Sequence, residues 1–348
     1  MNWPTTVPLP EPLDLPADPA WEGDDPLALA HAVRHLACQR DWTALRWPEL
    51  VTALESLGRT DIPLSRLTEG HVDALRIHAE AGTTPSAGCL YGVWASRSRG
   101  TGIRARRTDG GWHLEGTLRF ASGAGLLDRA LLPVWTDDET SVLLDVPVGD
   151  WPVDDSAWQT SAMRLSHSHT IHLDHDVPGD TVTQVGGEGF YLGRAGFFPG
   201  GIGVAAVWVG GAARVADLVR QHVGQMLASP AAQLRLGHLR TDLVAAAGAV
   251  EAAATRLAEG GVADPGGLQA LATETRAVVG TSVQRLLEQA RAIAGPAGLA
   301  FDGPLTRAID DLDLYVRQQN TDGDALFLGG LGGGPRGGPG SGPGGGLR

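Results

Sequence analysis

The chain of 348 residues contains no lysine, and all 27 of its basic residues are arginines. No lysine amine is therefore available to form a Schiff base with pyridoxal phosphate, to act as a nucleophile or to complete a phosphate-binding P-loop. Acidic residues outnumber basic ones, and the formal net charge is −13. Because phosphate backbones are bound by clustered basic side chains, this balance argues against a nucleic-acid partner.

Cysteine is nearly as scarce. Cys38 and Cys89 are the only two, and thiols so far apart form neither a disulfide framework nor a zinc-ligand pair. We interpret both as half-buried residues in a reducing compartment, which predicts a cytoplasmic protein. The amino terminus lacks the basic and apolar segments of a signal peptide. Glycines and a proline break the uncharged run 196–213, so we expect no membrane-spanning helix there.

The spacing of apolar residues divides the chain into five parts. Helical patterns lie on both sides of a strand-rich region instead of alternating with strands, which predicts an α+β fold. We expect an N-terminal helical domain, a central antiparallel β-barrel or sandwich, and a C-terminal four-helix bundle. The parts are an extended proline-rich arm (1–24), the helical domain (25–86), the β domain (87–187), the bundle (188–328) and a disordered glycine-rich tail (329–348).

Two turns organise the predicted strands. Asp109-Gly110-Gly111 is a strong hairpin signal, because Asp-Gly supplies the backbone geometry of a tight turn. A second turn, at 137–139, is acidic. The predicted strands are 103–106, 112–116, 130–135, 141–146 and 170–173. The predicted helices of the bundle are 204–223, 231–259, 267–293 and 305–319.

Two patterns could indicate a cofactor or a metal. The segment 201–206 fits G-x-G-x-x-A, but it has no preceding strand and no following acidic residue, so it does not predict a dinucleotide site. We interpret its glycines as letting a helix begin close to the β domain. A metal site needs three or four convergent ligands, whereas solvated imidazoles on an edge strand need none, so we predict no metal. The histidines in question are at 167, 169, 172 and 175.

A wider pattern resembles a known family. The segment 111–124, Gly-Trp-His-Leu-Glu-Gly-Thr-Leu-Arg-Phe-Ala-Ser-Gly-Ala, resembles a strand pair of the acyl-CoA dehydrogenase superfamily. Upstream, 88–92 lies where that family has a C-L-T-E strand, and downstream 161–166 resembles its G-M-R-x-S turn. The segment 204–213 resembles the start of the family's first C-terminal helix, and 305–315 resembles the segment before its catalytic loop. The chain therefore resembles a divergent, FAD-dependent member.

The resemblance implies FAD bound between the β domain and the bundle, in a homodimer or homotetramer because the family's FAD site spans subunits. It places Phe120 where a ring packs on the flavin, and Ser122 near the flavin's reactive nitrogen. Tyr91 takes the place of a threonine that contacts the pyrimidine end. An aromatic ring offers a stacking face, and a hydroxyl at the reactive edge tunes the flavin. The implied substrate is an acyl-CoA or a similar small molecule, oxidised between its α and β carbons.

One position departs from the family. Its catalytic glutamate, which removes the α-proton, falls on Gln319. An amide cannot accept that proton, and a general base contributes roughly 10²–10⁴-fold in rate. The sequence therefore leaves three functions open. They are a dehydrogenase with an altered base, a flavin monooxygenase-like member, and a non-catalytic or flavin-free relative that serves as a binding or assembly partner.

Overall fold

The structure is a computed structural model that describes residues 7–17, 19–96, 101–136, 140–224 and 229–331. The predicted acidic turn at 137–139 and nearly all of the predicted tail lie outside these residues. The N-terminal helices are α1 (Pro26–Ala37), α2 (Trp47–Thr60) and α3 (Ile62–Ala81). The strands are β1 (Tyr91–Val93), β2 (Gly102–Thr108), β3 (Gly111–Ala121), β4 (Arg129–Trp135), β5 (Ser141–Pro147), β6 (His169–Pro178) and β7 (Thr183–Val185). The C-terminal helices are α4 (Phe190–Gly193), α5 (Phe197–Val223), α6 (Pro230–Ala258), α7 (Pro265–Phe301), α8 (Gly303–Val316) and α9 (Thr321–Gly330).

Capping residues set the ends of the helices. The carboxylate of Asp61 accepts a hydrogen bond from the backbone N of Leu64 at 3.1 Å and so begins α3. Gly82, with φ +67, ends that helix in the left-handed conformation that glycine adopts readily. Asp264 and Asp302 cap α7 and α8 in the same way as Asp61. The helices, the strands and the second group of helices follow one another as predicted, so the α+β class is confirmed.

The strands form one sheet in the order β6-β3-β2-β4-β5-β7, with β1 beside β4. The hairpin predicted at Asp109–Gly110 joins β2 to β3, where Thr108 pairs with Gly111. Most neighbours are antiparallel as predicted, but β1 and β2 each pair with β4 in parallel. The sheet is therefore mixed, because β4 receives two strands that precede it in the chain and run in its own direction.

Helix α5 forms the centre of the bundle. It begins at Phe197, before the start predicted at 204, and most of its residues are buried. Gly201 and Gly203 lie inside it. A Cβ at Gly203 would lie 3.1 Å from Leu54 of α2, and one at Gly201 would lie 3.0 Å from Arg276 of α7. The interpretation that these glycines face the β domain was therefore wrong, because they face the neighbouring helices.

The apolar character of α5 follows from this position. Among the described residues it is the one helix long and apolar enough to cross a membrane by length and composition. The interior of the protein buries 78% of its most apolar window. A helix that is apolar on all sides and surrounded by other helices is typical of a domain core.

The backbones of α2 and α5 meet without side chains between them. A Cβ at Gly58 would lie 2.1 Å from the carbonyl oxygen of Val207, and one at Gly210 would lie 2.0 Å from that of Glu55. Real Cβ atoms do not approach oxygen so closely, so glycine is required at both positions. This contact joins the N-terminal helices to the bundle.

Residues 7–17 and 19–24 of the N-terminal arm contact the helices through specific bonds, whereas the composition of the arm predicts an extended and loosely held segment. The backbone N of Leu13 donates to Thr60 Oγ1 at 2.7 Å, and Arg59 donates to the carbonyl oxygen of Pro10 at 2.8 Å. Trp21 lies in a short 3₁₀ helix, Pro19–Gly23, and is only 4% exposed. Because proline lacks an N–H, such a segment has few donors to satisfy and can lie on the helices.

The structure contains more helix than the sequence predicts in two places. Helix α7 continues past residue 293 because Gly295, with φ +59, lets the chain kink and Pro296 follows it. Helix α9 begins after Asn320, whose side chain accepts a hydrogen bond from the backbone N of Gly323 at 3.1 Å. Gln319 therefore lies in the short connection between α8 and α9.

Candidate functional site

A bulge in β3 places Phe120 at the surface. The register with β6 shifts between Leu118 and Ala121, and Phe120 has φ +58. Its ring is 53% exposed and meets the ring of Trp158 edge to face, with 6.1 Å between centroids. A positive φ is uncommon for a bulky residue, and strained backbone of this kind clusters at functional sites. The bulge thus presents an aromatic pair that a flat ligand could contact.

Ser122 begins a chain of buried hydroxyl groups. Its Oγ lies 2.8 Å from that of Ser168, which lies 2.7 Å from that of Ser166. Ser166 donates to the carbonyl oxygen of Met163 at 2.7 Å. Because a carbonyl only accepts, Ser168 must donate to Ser166, and Ser122 must donate to Ser168. The proton of the Ser122 hydroxyl is therefore already used, and the hydroxyl can only accept any further hydrogen bond.

Ser122 lines a narrow cleft between β1 and α3. Arg66 and Gly70 of α3 line this cleft together with Gly92 and Leu127. The indole N–H of Trp94 donates to the carbonyl oxygen of Ser122 at 2.8 Å and fixes the backbone there. Ser122 is thus held in place across the cleft from Arg66 of α3.

Tyr91 also lines this cleft, but its hydroxyl is engaged by other residues. It is fully buried, its hydroxyl donates to Asp145 Oδ2 at 3.1 Å, and the backbone N of Ser86 donates to the hydroxyl at 2.7 Å. Burial raises the pKa of the phenol, which keeps it protonated. Its one proton is already used, and its ring packs against Ile77 and Leu131 in a second small core. The Tyr91 hydroxyl is therefore not bonded to Ser122, and a contact of Tyr91 with the flavin's pyrimidine end stays a prediction.

Gln319 is buried in the connection between α8 and α9. Its amide Nε2 donates to Asp324 Oδ2 at 3.1 Å. Its Oε1 has no hydrogen-bond partner among the described residues. A Cβ at Gly280 of α7 would lie 1.9 Å from this oxygen, so the glycine makes room for the amide.

A series of side-chain contacts runs from Arg276 of α7 to the cleft at Ser122. The guanidinium of Arg276 lies 5.0 Å from the ring centre of Trp208, and Tyr315 meets the same ring edge-on. Tyr315 also lies within hydrogen-bond reach of Glu69, at 3.5 Å. Glu69 in turn accepts from Arg66 at 2.7 Å. In the described part of the chain the Nε1 atom of Trp208 has no partner.

Burial shifts the titration of this network. It raises the pKa of Glu69, although the Arg66 guanidinium opposes that shift. It raises the pKa of Tyr315 well above the ordinary value and lowers the pKa of Arg276. Sequence reasoning missed this network. Its available signal was the helical spacing of Arg66, Glu69 and Asp73, three charges on one face of α3 where apolar residues are expected.

The histidines and cysteines do not converge. His167 bonds to Asp24 at 2.8 Å, and His172 bonds to Thr117 at 3.1 Å on the edge strand β6. Both cysteines are free thiols, with Cys38 exposed and Cys89 half-buried. Within residues 7–17, 19–96, 101–136, 140–224 and 229–331, no group of three His, Cys, Asp or Glu residues could hold a metal ion.

Comparison with known proteins places these features in a family fold. Residues 185–316 match the family model described as "Acyl-CoA dehydrogenase, C-terminal domain". No curated protein matches the chain. XiaF from Streptomyces sp., solved with FADH2 and glycerol, is similar with TM-score 0.70 at 20% identity, over 90% of each chain. TdsC from Paenibacillus sp. A11-2, a dibenzothiophene monooxygenase solved with FMN and indole, is similar with TM-score 0.72 at 16% identity, over 90% of each chain. A nitrososynthase from Micromonospora carbonacea var. africana gives TM-score 0.71 at 18% identity, over 88% of this chain and 89% of its own.

Residues 185–316 are thus similar to the acyl-CoA dehydrogenase C-terminal domain, and the chain as a whole has the acyl-CoA dehydrogenase-like fold. The resemblance drawn from the sequence is confirmed at this level. Because these structures share 20% identity or less with the chain, they establish the fold and leave the reaction to be argued from the residues.

Proposed function

We propose that the chain is a flavin-dependent oxidoreductase of the monooxygenase type, acting on a small organic molecule. The observation that carries the proposal is the direction of the serine chain, which leaves Ser122 an acceptor. The reactive nitrogen of a reduced flavin carries a hydrogen and donates, whereas that of an oxidised flavin only accepts. If the flavin lies where the resemblance puts it, Ser122 favours the reduced form. Monooxygenases use this form, and the similar XiaF structure contains FADH2.

The residues present fit a flavin ring on two counts. The exposed ring of Phe120 and its partner Trp158 offer a stacking face, and Ser122 offers a fixed acceptor nearby. FAD is the form implied by the resemblance, and FMN is the alternative seen with TdsC. Since half of the Phe120 ring is exposed, we propose that a second copy of the chain covers it, in a dimer or tetramer. A cytoplasmic location stays a prediction from the sequence.

Dehydrogenation of an acyl thioester fits these residues less well. The amide of Gln319 cannot accept a proton, and it donates to the nearby carboxylate of Asp324. The other carboxylate of the network, Glu69, is engaged by Arg66. Position 319, where the resemblance places the family's catalytic glutamate, therefore has no general base.

Bound reduced flavin would supply the electrons that activate oxygen. The chain's own residues would bind and orient the flavin. Phe120 and Trp158 would hold the ring, and Ser122 would accept a hydrogen bond from its reactive edge.

The test is an anaerobic titration of the purified protein with reduced and oxidised FAD and FMN. We expect tighter binding of the reduced form. In Ser166→Ala the hydroxyl chain loses its fixed direction, so Ser122 becomes free to donate. One neutral hydrogen bond is worth about 1 kcal/mol, so the preference for reduced flavin should fall about fivefold.

Ser65→Ala is the matched control, because Ser65 is a buried serine that donates to the carbonyl oxygen of Ile62 but is not bonded to Ser122. An equal preference in wild type, Ser166→Ala and Ser65→Ala would refute the role of Ser122. No uptake of either flavin in either redox state would overturn the proposed function and favour a non-catalytic relative.

A further inference from the structure

The turn 163–167, which precedes β6, is held in an unfavourable backbone conformation. Met163 has φ +55 and His167 has φ +44, so both residues lie in the left-handed region. That region is uncommon for residues other than glycine. Such conformations persist only where surrounding contacts hold them, and they cluster at functional sites. The two ends of this turn therefore need contacts from other parts of the chain.

Asp311 of α8 supplies the contact at Met163. Its side chain is buried, with 2% of the residue exposed, and its Oδ1 accepts a hydrogen bond from the backbone N of Met163. Its Oδ2 lies 3.3 Å from Arg307 Nε, and Arg307 also pairs with Asp61 at 2.8 Å. Burial raises the pKa of Asp311 to about 6, so the carboxylate is charged at neutral pH. A hydrogen bond to a charged acceptor is roughly twice as strong as one between neutral groups.

The N-terminal segment supplies the contact at the other end of the turn. Nε2 of His167 lies 2.8 Å from Asp24 Oδ1, and Arg164 donates to Oδ2 of the same carboxylate. Two carboxylates from distant parts of the chain thus hold the two left-handed residues in place.

The turn supports the candidate flavin site through both its backbone and its side chains. The backbone N of Gly123, directly after Ser122, donates to the carbonyl oxygen of Ser166 at 2.9 Å. The carbonyl oxygen of Met163 accepts from the backbone N of Ser166 at 2.9 Å and from its hydroxyl at 2.7 Å. That hydroxyl sets the direction of the chain that ends at Ser122. Met163 therefore connects Asp311, which its N–H contacts, with the serine chain, which its carbonyl oxygen directs.

We propose that Asp311 is a positioning residue for the flavin site. By holding Met163 in the left-handed conformation, its carboxylate fixes the direction of the serine chain and keeps the Ser122 hydroxyl an acceptor. Asp311 acts through Met163 and Ser166, so it is not a catalytic residue. Its influence on the flavin rests on the proposed function, whereas its hold on the turn is a property of the folded chain alone.

The first test is the preference for reduced over oxidised FAD, measured by anaerobic titration. Asp311→Ala leaves the N–H of Met163 without its acceptor, so the preference should fall about fivefold, as expected for Ser166→Ala. Asp311→Asn still offers an oxygen to Met163 and should keep most of the preference. Asp310→Ala is the matched control, because Asp310 is the neighbouring carboxylate of α8 and lies 3.9 Å from Arg291. Circular dichroism checks that each variant is folded.

The double variant Asp311→Ala/Ser166→Ala tests the route of the effect. If both residues act through one serine chain, the double variant should lose about fivefold in preference, the same as either single variant. A merely structural role of Asp311 would give an independent loss, and the two losses would multiply to about 25-fold. A multiplied loss would overturn the proposal, as would a wild-type preference in folded Asp311→Ala or an equal loss in Asp310→Ala.

Hydrogen–deuterium exchange of the flavin-free protein measures the hold on the turn directly. Peptides that cover residues 161–168 should exchange about tenfold faster or more in Asp311→Ala, because a bond to a charged acceptor is lost. Asp311→Asn, with a neutral acceptor, should exchange at an intermediate rate, and Asp310→Ala should match wild type. If Asp311→Ala does not fold, Asp311→Asn decides, since exchange at the wild-type rate in that variant would overturn the proposal.

The two measurements separate this proposal from the proposed function. If wild type takes up no flavin or shows no preference, the proposed function fails, while faster exchange in Asp311→Ala still supports the hold of Asp311 on the turn. If wild type and Asp311→Ala prefer reduced flavin equally, the proposed function stands and the role of Asp311 is overturned. Unchanged exchange in Asp311→Ala overturns that role in either case.

Discussion

Restoring the family's base by Gln319→Glu should fail, for a reason that the structure supplies. The amide of Gln319 donates to Asp324 Oδ2 at 3.1 Å in a buried connection. The substitution removes that donor and places two carboxylates at hydrogen-bond distance. Two full charges at this separation repel by about 5 kcal/mol at an effective dielectric constant of roughly 20. The introduced carboxylate should therefore have a pKa well above its ordinary range and remain protonated near neutral pH.

The consequence for stability has a definite sign. The unfolded state loses the new proton near the ordinary pKa of glutamate, while the folded state keeps it. The free energy of unfolding of the variant should therefore fall, relative to wild type, as the pH rises above about 4.3, by up to about 1.4 kcal/mol per pH unit. The half-buried Arg276 nearby makes this slope an upper limit.

Urea unfolding from pH 4 to pH 8 measures the effect. Gln318→Glu is the matched control, because Gln318 is the exposed neighbour. Adding Asp324→Asn to Gln319→Glu should recover most of the loss. A Gln319→Glu protein with the same pH dependence as wild type and Gln318→Glu would refute the reasoning, as would a gain of α-proton exchange on an acyl-CoA at neutral pH.

Two further predictions concern the contact of α2 with its neighbours. Gly210→Ala places a Cβ 2.0 Å from the carbonyl oxygen of Glu55 and should lower the free energy of unfolding by about 1–3 kcal/mol. Gly237→Ala places its Cβ in open space and should not lower the free energy of unfolding. Equal denaturation midpoints for Gly210→Ala and Gly237→Ala would contradict this prediction. Burial beside Glu251 raises the pKa of Glu55 to about 8, so wild type should lose stability as the pH rises from about 4.5 to 8. Glu55→Gln should remove that part of the loss, and parallel stability curves would contradict the assignment.

Local sequence signals predicted the parts of the fold that depend on local chemistry. The Asp109–Gly110 hairpin is confirmed because two residues suffice to fix such a turn. Periodicity located the helices of the bundle, but it did not reveal which elements Gly201 and Gly203 contact. The parallel partners of β4 were missed for the same reason, since a strand's own sequence does not specify its neighbour.

The candidate site shows the same division. Phe120, Ser122 and Gln319 were chosen from the resemblance, and their roles stay predictions until flavin binding is measured. The direction of the serine chain needed the positions of Ser166 and Met163, which are more than 40 residues from Ser122. The cavity of about 490 Å³ that Arg194 lines, between α2, α3 and the start of α5, combines residues of five helices, and no pattern in any one of them predicts it.

The glycine contact between α2 and α5 also determines the order in which this chain can fold. Gly58 and Val207 touch across roughly 150 residues of sequence, with the whole sheet between them. A ribosome adding about 5–20 residues per second exposes α2 for roughly ten to thirty seconds before α5 is made. Contacts of such long range also slow folding, because the chain must close a large loop before it gains their stabilisation. The N-terminal helices therefore cannot complete their packing until the bundle has been synthesised. A ribosome-bound chain that stops after the sheet would expose the small-residue face of α2 to chaperones.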